Sequence, residues 1–340
     1  MIGVCELMAH TIEVVSVSKV FARGAGLRFW RGSGQLVQAL LDVSLQVAPG
    51  EIYGLVGRNG YGKTTLVKCI GSLIEPSRGS IRVAGQDSAR ASSALRGTIG
   101  FAGADERSFY WRLTGLENLL FFARLQGIEE RSARRKIDEL CRRFGVAEIL
   151  PRRFHEYATG NRQRLCLVRA LLHDPTVLLL DEPTRSLDPF AAAHTRSALR
   201  RWVVEDPKRC ALVTSHNLEE IAGLSDRVGI MSRGRLREQG TLAELRERHD
   251  SRELVRIWLD RAVDPNSWPN DGPGVEDLVP GDDPERGPFL ELRRDRRDGV
   301  LDTVLRRIYA DGARILSFDR VEMSLQDIID RVDAGGDDRT

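Results

Sequence analysis

The sequence predicts an α/β fold built on a parallel sheet, followed by a smaller α+β unit. Three observations lead to this prediction. Short β-rich runs alternate with helical patterns from Ile12 to about Gly240, as expected of βαβ units. A glycine-rich segment within this stretch follows a strand pattern and precedes a helix pattern. After a stretch rich in Pro, Gly and Asp at 263–288, two further strand patterns and two helix patterns follow.

The glycine-rich segment is predicted to be a phosphate loop. Gly57, Gly62, Lys63 and Thr64 satisfy the pattern G-x-x-x-x-G-K-S/T in the strand-to-helix context that this loop requires. Glycines let successive backbone N–H groups turn towards phosphates, Lys63 reaches the β and γ phosphates, and the Thr64 hydroxyl binds Mg²⁺. The predicted nucleotide-binding residues of the loop are Gly57, Arg58, Asn59, Gly60, Tyr61, Gly62, Lys63, Thr64 and Thr65.

A second strand supplies the carboxylates of the same predicted site. Val177–Leu180 is a continuous apolar run, typical of a strand buried on both faces, and Asp181 and Glu182 follow it. Ligands of open α/β sheets bind at the carboxyl ends of the strands. Asp181 is therefore predicted to hold Mg²⁺, and Glu182 to orient or deprotonate the attacking water. These residues together fit many nucleotide hydrolases.

Three further segments narrow the class of protein. Tyr157–Leu172 lies shortly before the acidic strand, Asp188 ends a Ser-Leu-Asp segment after it, and Thr214–His216 follows another strand pattern. Taken with the phosphate loop, this order resembles the ATP-binding cassette (ABC) ATPases over about residues 12–245. The resemblance implies ATP and Mg²⁺ as ligands. It also implies that His216 contacts the γ-phosphate and acts in catalysis with Glu182, and that Asp188 links two facing sites.

The signature segment of this family implies a dimer of cassettes. In the family it opens a helix whose N-terminus binds the γ-phosphate held by the opposite subunit, so two cassettes enclose two ATP molecules. The corresponding residues here are Ala158, Thr159, Gly160 and Asn161. Ala158 and Thr159 replace the usual serine and first glycine. A lost hydrogen bond to a charged group costs about 1.5–3 kcal/mol, although Thr159 could restore a hydroxyl. We expect a homodimer or a partner cassette.

The family also places a glutamine that touches Mg²⁺ after the strand pattern ending at Phe101. Counting back from Leu113 puts Asp105 at this position, whereas counting forward from Ile99 puts Ala104 there. A carboxylate oxygen is a suitable Mg²⁺ ligand, so Asp105 is kept as a candidate metal ligand beside Thr64 and Asp181.

An aromatic residue near the start of the cassette is expected to stack on adenine. Phe21 occupies the place that the family uses for this ring, and an insertion carrying Phe29 and Trp30 follows it. Any of the three rings could stack on adenine, and Phe21 is the first choice.

The predicted domains are a cassette at 1–245, with a helical subdomain at about 114–164, and an accessory α+β domain at 246–332. Within the accessory domain we expect a loop at 263–288, and beyond it a disordered tail at 333–340. A segment at Met323–Ile328 resembles the accessory domain of bacterial exporter ATPases. The predicted strands and helices of this domain are Leu254–Leu259, Phe289–Arg293, Val300–Tyr309, Arg314–Phe318 and Ser324–Val332.

The composition sets limits on location and partners. The 340 residues include 51 Lys and Arg against 49 Asp and Glu, a formal charge of +2, which argues against a strongly basic nucleic-acid-binding protein. No apolar run approaches the roughly 18 residues of a membrane helix. Met1–His10 carries Glu6 and does not have the pattern of a secretory signal, so we expect a cytosolic chain.

The resemblance implies an ATP-hydrolysing subunit of an ABC transporter, of the type found in bacterial drug, lipid or polysaccharide exporters. We expect it to dock on the cytoplasmic face of the cell membrane, on a separate integral membrane permease, through the region 114–164. Nucleic acid is not expected as a partner. One alternative is a soluble ABC ATPase acting on nucleic acid or ribosomes. The other is a regulatory cassette that binds ATP without hydrolysing it, which Ala158 and Thr159 motivate. The cargo stays open.

Overall fold

A computed structural model describes residues 11–23, 35–90, 93–103, 108–216, 218–249, 253–265, 268, 278–294, 300–321 and 324–335. Phe29, Trp30, Ala104, Asp105 and Met323, which the sequence analysis singled out, lie outside these residues. The chain divides into two compact units, Met1–Leu242 and Ala243–Thr340. None of the described helices is both long and apolar enough to cross a bilayer.

The first unit contains two sheets and seven α-helices among its described residues, and an eighth α-helix begins at its last residue. The strands are β1 (Ile12–Arg23), β2 (Gln35–Val47), β3 (Ile52–Val56), β4 (Arg78–Val83), β5 (Gln86–Asp87), β6 (Ile99–Ala102), β7 (Val177–Asp181), β8 (Cys210–Thr214), β9 (Arg227–Ser232) and β10 (Arg235–Gly240). The helices are α1 (Lys63–Ile70), α2 (Ser93–Thr98), α3 (Gly115–Leu125), α4 (Glu130–Arg143), α5 (Thr159–Leu171), α6 (Pro189–Val204), α7 (Leu218–Leu224) and α8 (Leu242–His249).

The larger sheet carries the predicted site. Its strand order is β10-β9-β3-β8-β7-β6, and all neighbours are parallel except β10 and β9. Every residue of β3, β7 and β8 is buried, which explains why these strands read as continuous apolar runs. The order brings the carboxyl ends of β3, β8 and β7 side by side, because these strands are direct neighbours. The predicted strand at Val177–Leu180 is confirmed as β7.

The smaller sheet is antiparallel and has the order β2-β1-β4-β5. One core cluster joins buried residues of both sheets to α1, including Val14 and Leu45 from the smaller sheet, Leu179 from the larger one, and Leu66 and Ile70 from α1. Burial of an aliphatic side chain stabilises a fold by about 1.5–3 kcal/mol. This shared core therefore fixes α1, and the loop that precedes it, on the larger sheet.

Helices α3, α4 and α5 form the region in which the sequence analysis expected a helical subdomain. Thr114 caps α3 through a reciprocal pair of hydrogen bonds with Glu117, which satisfies two backbone donors at the helix start. Phe109 and Phe154 stack with their ring centroids 4.5 Å apart, and both rings are buried. Aromatic packing of this kind holds the segments before α3 and before α5 together.

Among its described residues, the second unit contains most of α8, an antiparallel sheet and two further helices. Its elements are β11 (Glu253–Leu259), β12 (Leu278–Asp283), β13 (Gly287–Arg294), α9 (Val300–Ala310), β14 (Ile315–Val321) and α10 (Leu325–Gly335), and the strand order is β12-β13-β11-β14. The predicted strands and helices of this part are present, and Ser324 accepts a hydrogen bond from the Asp327 N–H, as the predicted serine cap requires.

Two expectations for the second unit differ from the structure. Strand β12 lies inside the range predicted to be a loop, because its backbone pairs with β13 along its whole length despite its Pro, Gly and Asp residues. Helix α10 extends to Gly335, inside the predicted disordered tail, since the buried side chains of Ile328, Ile329 and Val332 anchor its turns.

Candidate nucleotide-binding site

The phosphate loop connects β3 to α1 and requires glycine at three positions. Gly57, Gly60 and Gly62 have φ values of 147°, 85° and 98°, a range that favours glycine. A Cβ atom at Gly57 would lie 2.2 Å from the Met231 carbonyl oxygen, and one at Gly62 would lie 2.4 Å from the Ala39 carbonyl oxygen. The loop therefore passes too close to its neighbours for a side chain at either position.

Lys63, the first residue of α1, is buried and its ammonium group points into the loop. Its Nζ donates to the carbonyl oxygens of Gly57 at 2.5 Å and Arg58 at 3.2 Å. Burial lowers the pKa of Lys63, and the neighbouring carboxylates Glu182 and Asp181 oppose this effect. A desolvated cation inside a loop of backbone N–H groups is a strong attractor for phosphate oxygens.

Asp181 is buried at the carboxyl end of β7 and accepts hydrogen bonds from two threonines. Thr64 Oγ1 donates to Asp181 Oδ2 at 2.8 Å, and Thr214 Oγ1 donates to Oδ1 at 2.6 Å. Thr214 ends the neighbouring strand β8, where it pairs directly with Asp181. The two threonines fix the orientation of the carboxylate, because each of its oxygens receives a hydroxyl donor.

Thr214 is a site residue to which the sequence analysis gave no role. It appeared there only as the first residue of the segment ending at His216. Thr214 could have been identified as a hydroxyl residue at the end of β8, the strand next to the acidic strand β7. The sequence alone does not show that β8 and β7 are neighbours, because that depends on the strand order of the sheet. Thr214 also holds the next residue, since the Glu182 N–H donates to its carbonyl oxygen at 3.0 Å.

The residues at this corner fit a Mg²⁺ ion. The Thr64 hydroxyl and the Asp181 carboxylate are hard oxygen ligands, which Mg²⁺ prefers, and they lie next to each other beside the phosphate loop. Over the described ranges, His, Cys, Asp and Glu side chains form no cluster of three or more that could hold a metal alone. An ion here would therefore complete its ligand shell with phosphate oxygens and water, as Mg²⁺ does in other nucleotide sites.

Glu182 is held in an unusual backbone conformation. Its φ is 53°, the left-handed region that L-residues adopt at a cost of about 1–2 kcal/mol. Its carbonyl oxygen accepts a hydrogen bond from Gln163 Nε2 on α5 at 3.2 Å, which with the Thr214 contacts stabilises this conformation. Strained residues concentrate at functional sites, and the Glu182 side chain lies against His216.

The structure brings Glu182 and His216 together. His216 Nδ1 lies 3.0 Å from Glu182 Oε1, and because an ionised carboxylate only accepts hydrogen bonds, Nδ1 carries the hydrogen. The Glu182 side chain is 12% exposed and that of His216 is 51% exposed. A carboxylate at the edge of solvent, oriented by an imidazole, is suited to accept a proton from water.

A second network links the segments that carry these two residues. Thr184 donates a hydrogen bond to the Glu220 carboxylate on α7, and Ser215 Oγ donates to the same oxygen at 3.4 Å. Arg196 on α6 lies 3.7 Å from the other oxygen. Glu220 therefore connects the residue two positions after Glu182 to the residue before His216, which restrains the distance between the catalytic candidates.

The signature segment begins α5 without a side-chain cap. Ala158 occupies the cap position and makes no side-chain hydrogen bond there, and Asn161 Oδ1 instead accepts from the Arg164 guanidinium. A Cβ atom at Gly160 would lie 3.0 Å from the Ser186 carbonyl oxygen, so the helix start packs closely on that loop. Thr159 is exposed.

The two remaining predicted residues have local roles. Asp188 caps α6, because its Oδ1 accepts a hydrogen bond from the Ala191 N–H at 2.8 Å. Phe21 lies on β1 with its ring 37% exposed, and the Lys19 ammonium lies 5.2 Å from the ring centroid. Such a ring offers a free face for stacking.

A parallel sheet with a phosphate loop between β3 and α1, and a buried acidic residue at the end of β7, defines a P-loop nucleotide-binding domain. Comparisons with known proteins refine this class. A family model described as ABC transporter matches residues 40–185. The ABC transporter ATP-binding protein NatA of Bacillus subtilis is 35% identical over 236 residues, covering 69% of this chain and 95% of NatA. The chain belongs to the ABC transporter family, as an ATP-binding ATPase subunit.

The chain is also similar to a drug-resistance ATP-binding protein and to a solved ATP-binding cassette. The daunorubicin resistance ATP-binding protein DrrA3 of Streptomyces coeruleorubidus is 38% identical over 209 residues, which cover 62% of this chain and 65% of DrrA3. A dimeric ATP-binding cassette, solved in a post-hydrolysis state with ADP and Pi, matches with a TM-score of 0.61 at 22% identity, covering 68% of this chain and 98% of that cassette. The latter similarity supports the fold, and the predicted P-loop fold and family are confirmed.

Proposed function

We propose that this chain is the ATP-hydrolysing subunit of an exporter, and that two cassettes act together on a separate integral membrane permease. The observation that carries the proposal is the joint placement of Thr64, Asp181, Glu182 and His216 beside the phosphate loop. The exporter assignment is supported by the similarity to DrrA3, whose name refers to daunorubicin resistance. This chain covers 65% of DrrA3, so the cargo of the exporter is left open.

In the proposed reaction, the loop N–H groups and Lys63 bind the ATP phosphates and hold the γ-phosphate in line with an attacking water. Phosphoryl transfer needs little covalent participation by the protein, so positioning and charge stabilisation supply most of the rate. Thr64 and Asp181 would hold Mg²⁺, which would supply positive charge beside the phosphates. Glu182 accepts the proton of the water, and His216 orients the Glu182 carboxylate and contacts the γ-phosphate.

The second half of each site comes from another cassette in this proposal. The Asn161 N–H donates to the Ala158 carbonyl oxygen at 2.9 Å, but Ala158 has no side-chain acceptor for the N–H groups of α5. The N–H groups of Thr159 and Gly160, at the start of α5, are therefore proposed to face the γ-phosphate of the opposite subunit. The Thr159 hydroxyl adds a donor, Gly160 allows close approach, and Asp188 holds the loop between the two sites. The similarity to a dimeric cassette supports the same arrangement.

The permease is proposed to dock at the helical region of 114–164 on the cytoplasmic face of the membrane. The aromatic side chains of Tyr110 and Trp111, at the edge of this region, are 50% and 46% exposed. Exposed aromatic rings are typical of protein interfaces. The second unit is proposed to be an accessory domain. Phe21 is proposed to stack on adenine, and Asp105 to contribute a Mg²⁺ ligand.

The substitution Glu182→Gln tests the catalytic assignment. It keeps the shape of the side chain and its contact with His216 but removes the carboxylate that accepts the proton, so we expect steady-state ATPase activity to fall by about 10²–10⁴-fold. ATP binding, measured by nucleotide-dependent thermal stabilisation, should be retained. Equal ATPase activity of wild type and Glu182→Gln would contradict the assignment of Glu182 as the catalytic base.

A wild-type chain that binds ATP without measurable turnover would instead favour the regulatory cassette. The specific observation for that alternative is Ala158, which leaves α5 without a side-chain cap.

Affinity purification from detergent-solubilised membranes tests the proposed partner. A polytopic membrane protein recovered in a fixed stoichiometric ratio is the expected result. Recovery of ribosomal or DNA-repair proteins in its place would contradict the transporter assignment while leaving the ATP site unaffected.

A further inference from the structure

The proposed catalytic base has a second charged neighbour, Arg185, that no role assigned so far explains. Arg185 Nη1 lies 3.0 Å from Glu182 Oε2, on the opposite oxygen from the one that faces His216. Oε2 is buried, and it accepts no hydrogen bond from the described residues. The Arg185 side chain is 58% exposed, whereas that of Glu182 is 12% exposed. A solvent-facing guanidinium is therefore paired with the buried oxygen of the base.

Local backbone geometry produces this pairing. The Arg185 N–H approaches the Glu182 carbonyl oxygen at 3.4 Å, which closes a turn over the two intervening residues. The side chain of Thr184 is held by Glu220, so it leaves the Glu182 carboxylate free for Arg185. The two partners of the ion pair are three positions apart, so the pairing itself is local, although more distant residues hold Thr184 and the Glu182 backbone.

We propose that Arg185 restrains Glu182 in a resting position and thereby lowers the ATPase rate of the cassette. This inference rests on the proposed role of Glu182 as the catalytic base. A base must lie within hydrogen-bond reach of the water that it deprotonates. Glu182 Oε1 faces His216, so in this proposal Oε2 is the oxygen that accepts the proton of the attacking water. The Arg185 guanidinium must therefore move away from Oε2 before the reaction. Arg185 is thus a positioning residue that acts through Glu182.

The restraint is weak and reversible. Ion pairs with an exposed partner gain little, because water and salt screen the charges and a long side chain loses freedom when it is held. The release of Arg185 therefore changes the rate by a small factor. Screening by salt also distinguishes a restraint through charge from a packing role of the Arg185 side chain. Added salt weakens the ion pair with Glu182 and leaves apolar contacts in place.

The test compares wild type with Arg185→Met, which keeps an unbranched apolar stem of four atoms and removes the charged guanidinium end. We expect kcat to rise by about threefold, the change that corresponds to loss of an exposed ion pair, while KM for ATP stays within about twofold because no contact to nucleotide is lost. Arg185→Lys keeps the charge and should behave as wild type. Arg82→Met, which removes an exposed arginine on β4, is the matched control and should leave kcat unchanged.

Ionic strength supplies the second readout. Raising the salt concentration should increase kcat of the wild type towards that of Arg185→Met and have little effect on the variant. A kcat for Arg185→Met equal to or below that of wild type overturns the inference. If Glu182→Gln is inactive in the same assay, an unchanged or lower kcat of Arg185→Met rejects only the restraint by Arg185, and the assignment of Glu182 as the base stands. If Glu182→Gln retains full activity, the base assignment itself fails, and the inference fails with it.

Discussion

The Asp181 corner and the signature segment differ in how far the chain itself completes them. At the corner, both carboxylate oxygens of Asp181 receive hydroxyl donors, and Asp181 and Thr214 are buried. At the signature segment, α5 begins at Ala158 without a side-chain cap, and Thr159 is exposed. One half of the proposed site is held by hydrogen bonds within the cassette, whereas the other half begins at a helix N-terminus that no side chain caps, and a second cassette would use it.

The largest effect is expected from a side chain in the phosphate loop. Gly57→Ala combines a backbone conformation that alanine rarely adopts with a Cβ atom 2.2 Å from the Met231 carbonyl oxygen, so we expect a loss of about 3 kcal/mol in the free energy of unfolding. ATP binding should be lost as the loop shifts. Chemical denaturation and nucleotide-dependent thermal stabilisation measure these effects.

Gly60→Ala is the matched control for this prediction. Gly60 also has a positive φ, but no atom of the described residues, apart from its two chain neighbours, lies within 4 Å of an added Cβ. Only the conformational cost of about 1–2 kcal/mol therefore remains. Equal losses for the two variants would show that steric approach does not constrain the loop.

An intermediate effect is expected at Thr214. Thr214→Val keeps the side-chain volume but removes the donor to Asp181 Oδ1 in a fully buried position, so the free energy of unfolding should fall by about 1–3 kcal/mol. The ATPase rate should fall by about tenfold, because a disordered Asp181 holds Mg²⁺ less well. Denaturation and steady-state kinetics measure the two effects.

Thr214→Ser tests whether the hydroxyl is responsible. It restores the donor and should recover most of the activity that Thr214→Val loses. A serine variant as impaired as the valine variant would assign the effect to the Thr214 methyl group, and the hydrogen bond to Asp181 would then have no part in it.

The smallest effect is expected at the open end of the signature helix. Ala158→Ser supplies the missing cap of α5, so the free energy of unfolding should rise by about 0.5–1 kcal/mol. Valine is as poor a cap as alanine, and Ala158→Val should bring no gain. Thermal denaturation without nucleotide measures the difference. Equal stability of the serine and alanine proteins would mean that the α5 N-terminus is already satisfied within the cassette.

Much of the fold could be read from the sequence, because its strands and loops have strong local patterns. Val177–Leu180 and the phosphate loop are examples, since a buried parallel strand and a run of positive-φ glycines both leave a direct trace in residue type. Strand β12 leaves no such trace. Pro280 and Gly281 are poor strand residues, and only the pairing of β12 with β13 makes this segment a strand.

The sequence alone determined the class of the site. The loop pattern, the acidic strand end and their order along the chain depend on neighbouring residues, and short-range geometry is written in short stretches of sequence. The tertiary structure alone decided which groups surround the carboxylates. Thr64 and Asp181 are 117 positions apart, and Asp181 and Thr214 are 33 apart, so they meet only because β3, β8 and β7 pair in that order on a common core. Hydrogen bonds between such distant residues are consequences of packing, which a local pattern does not encode.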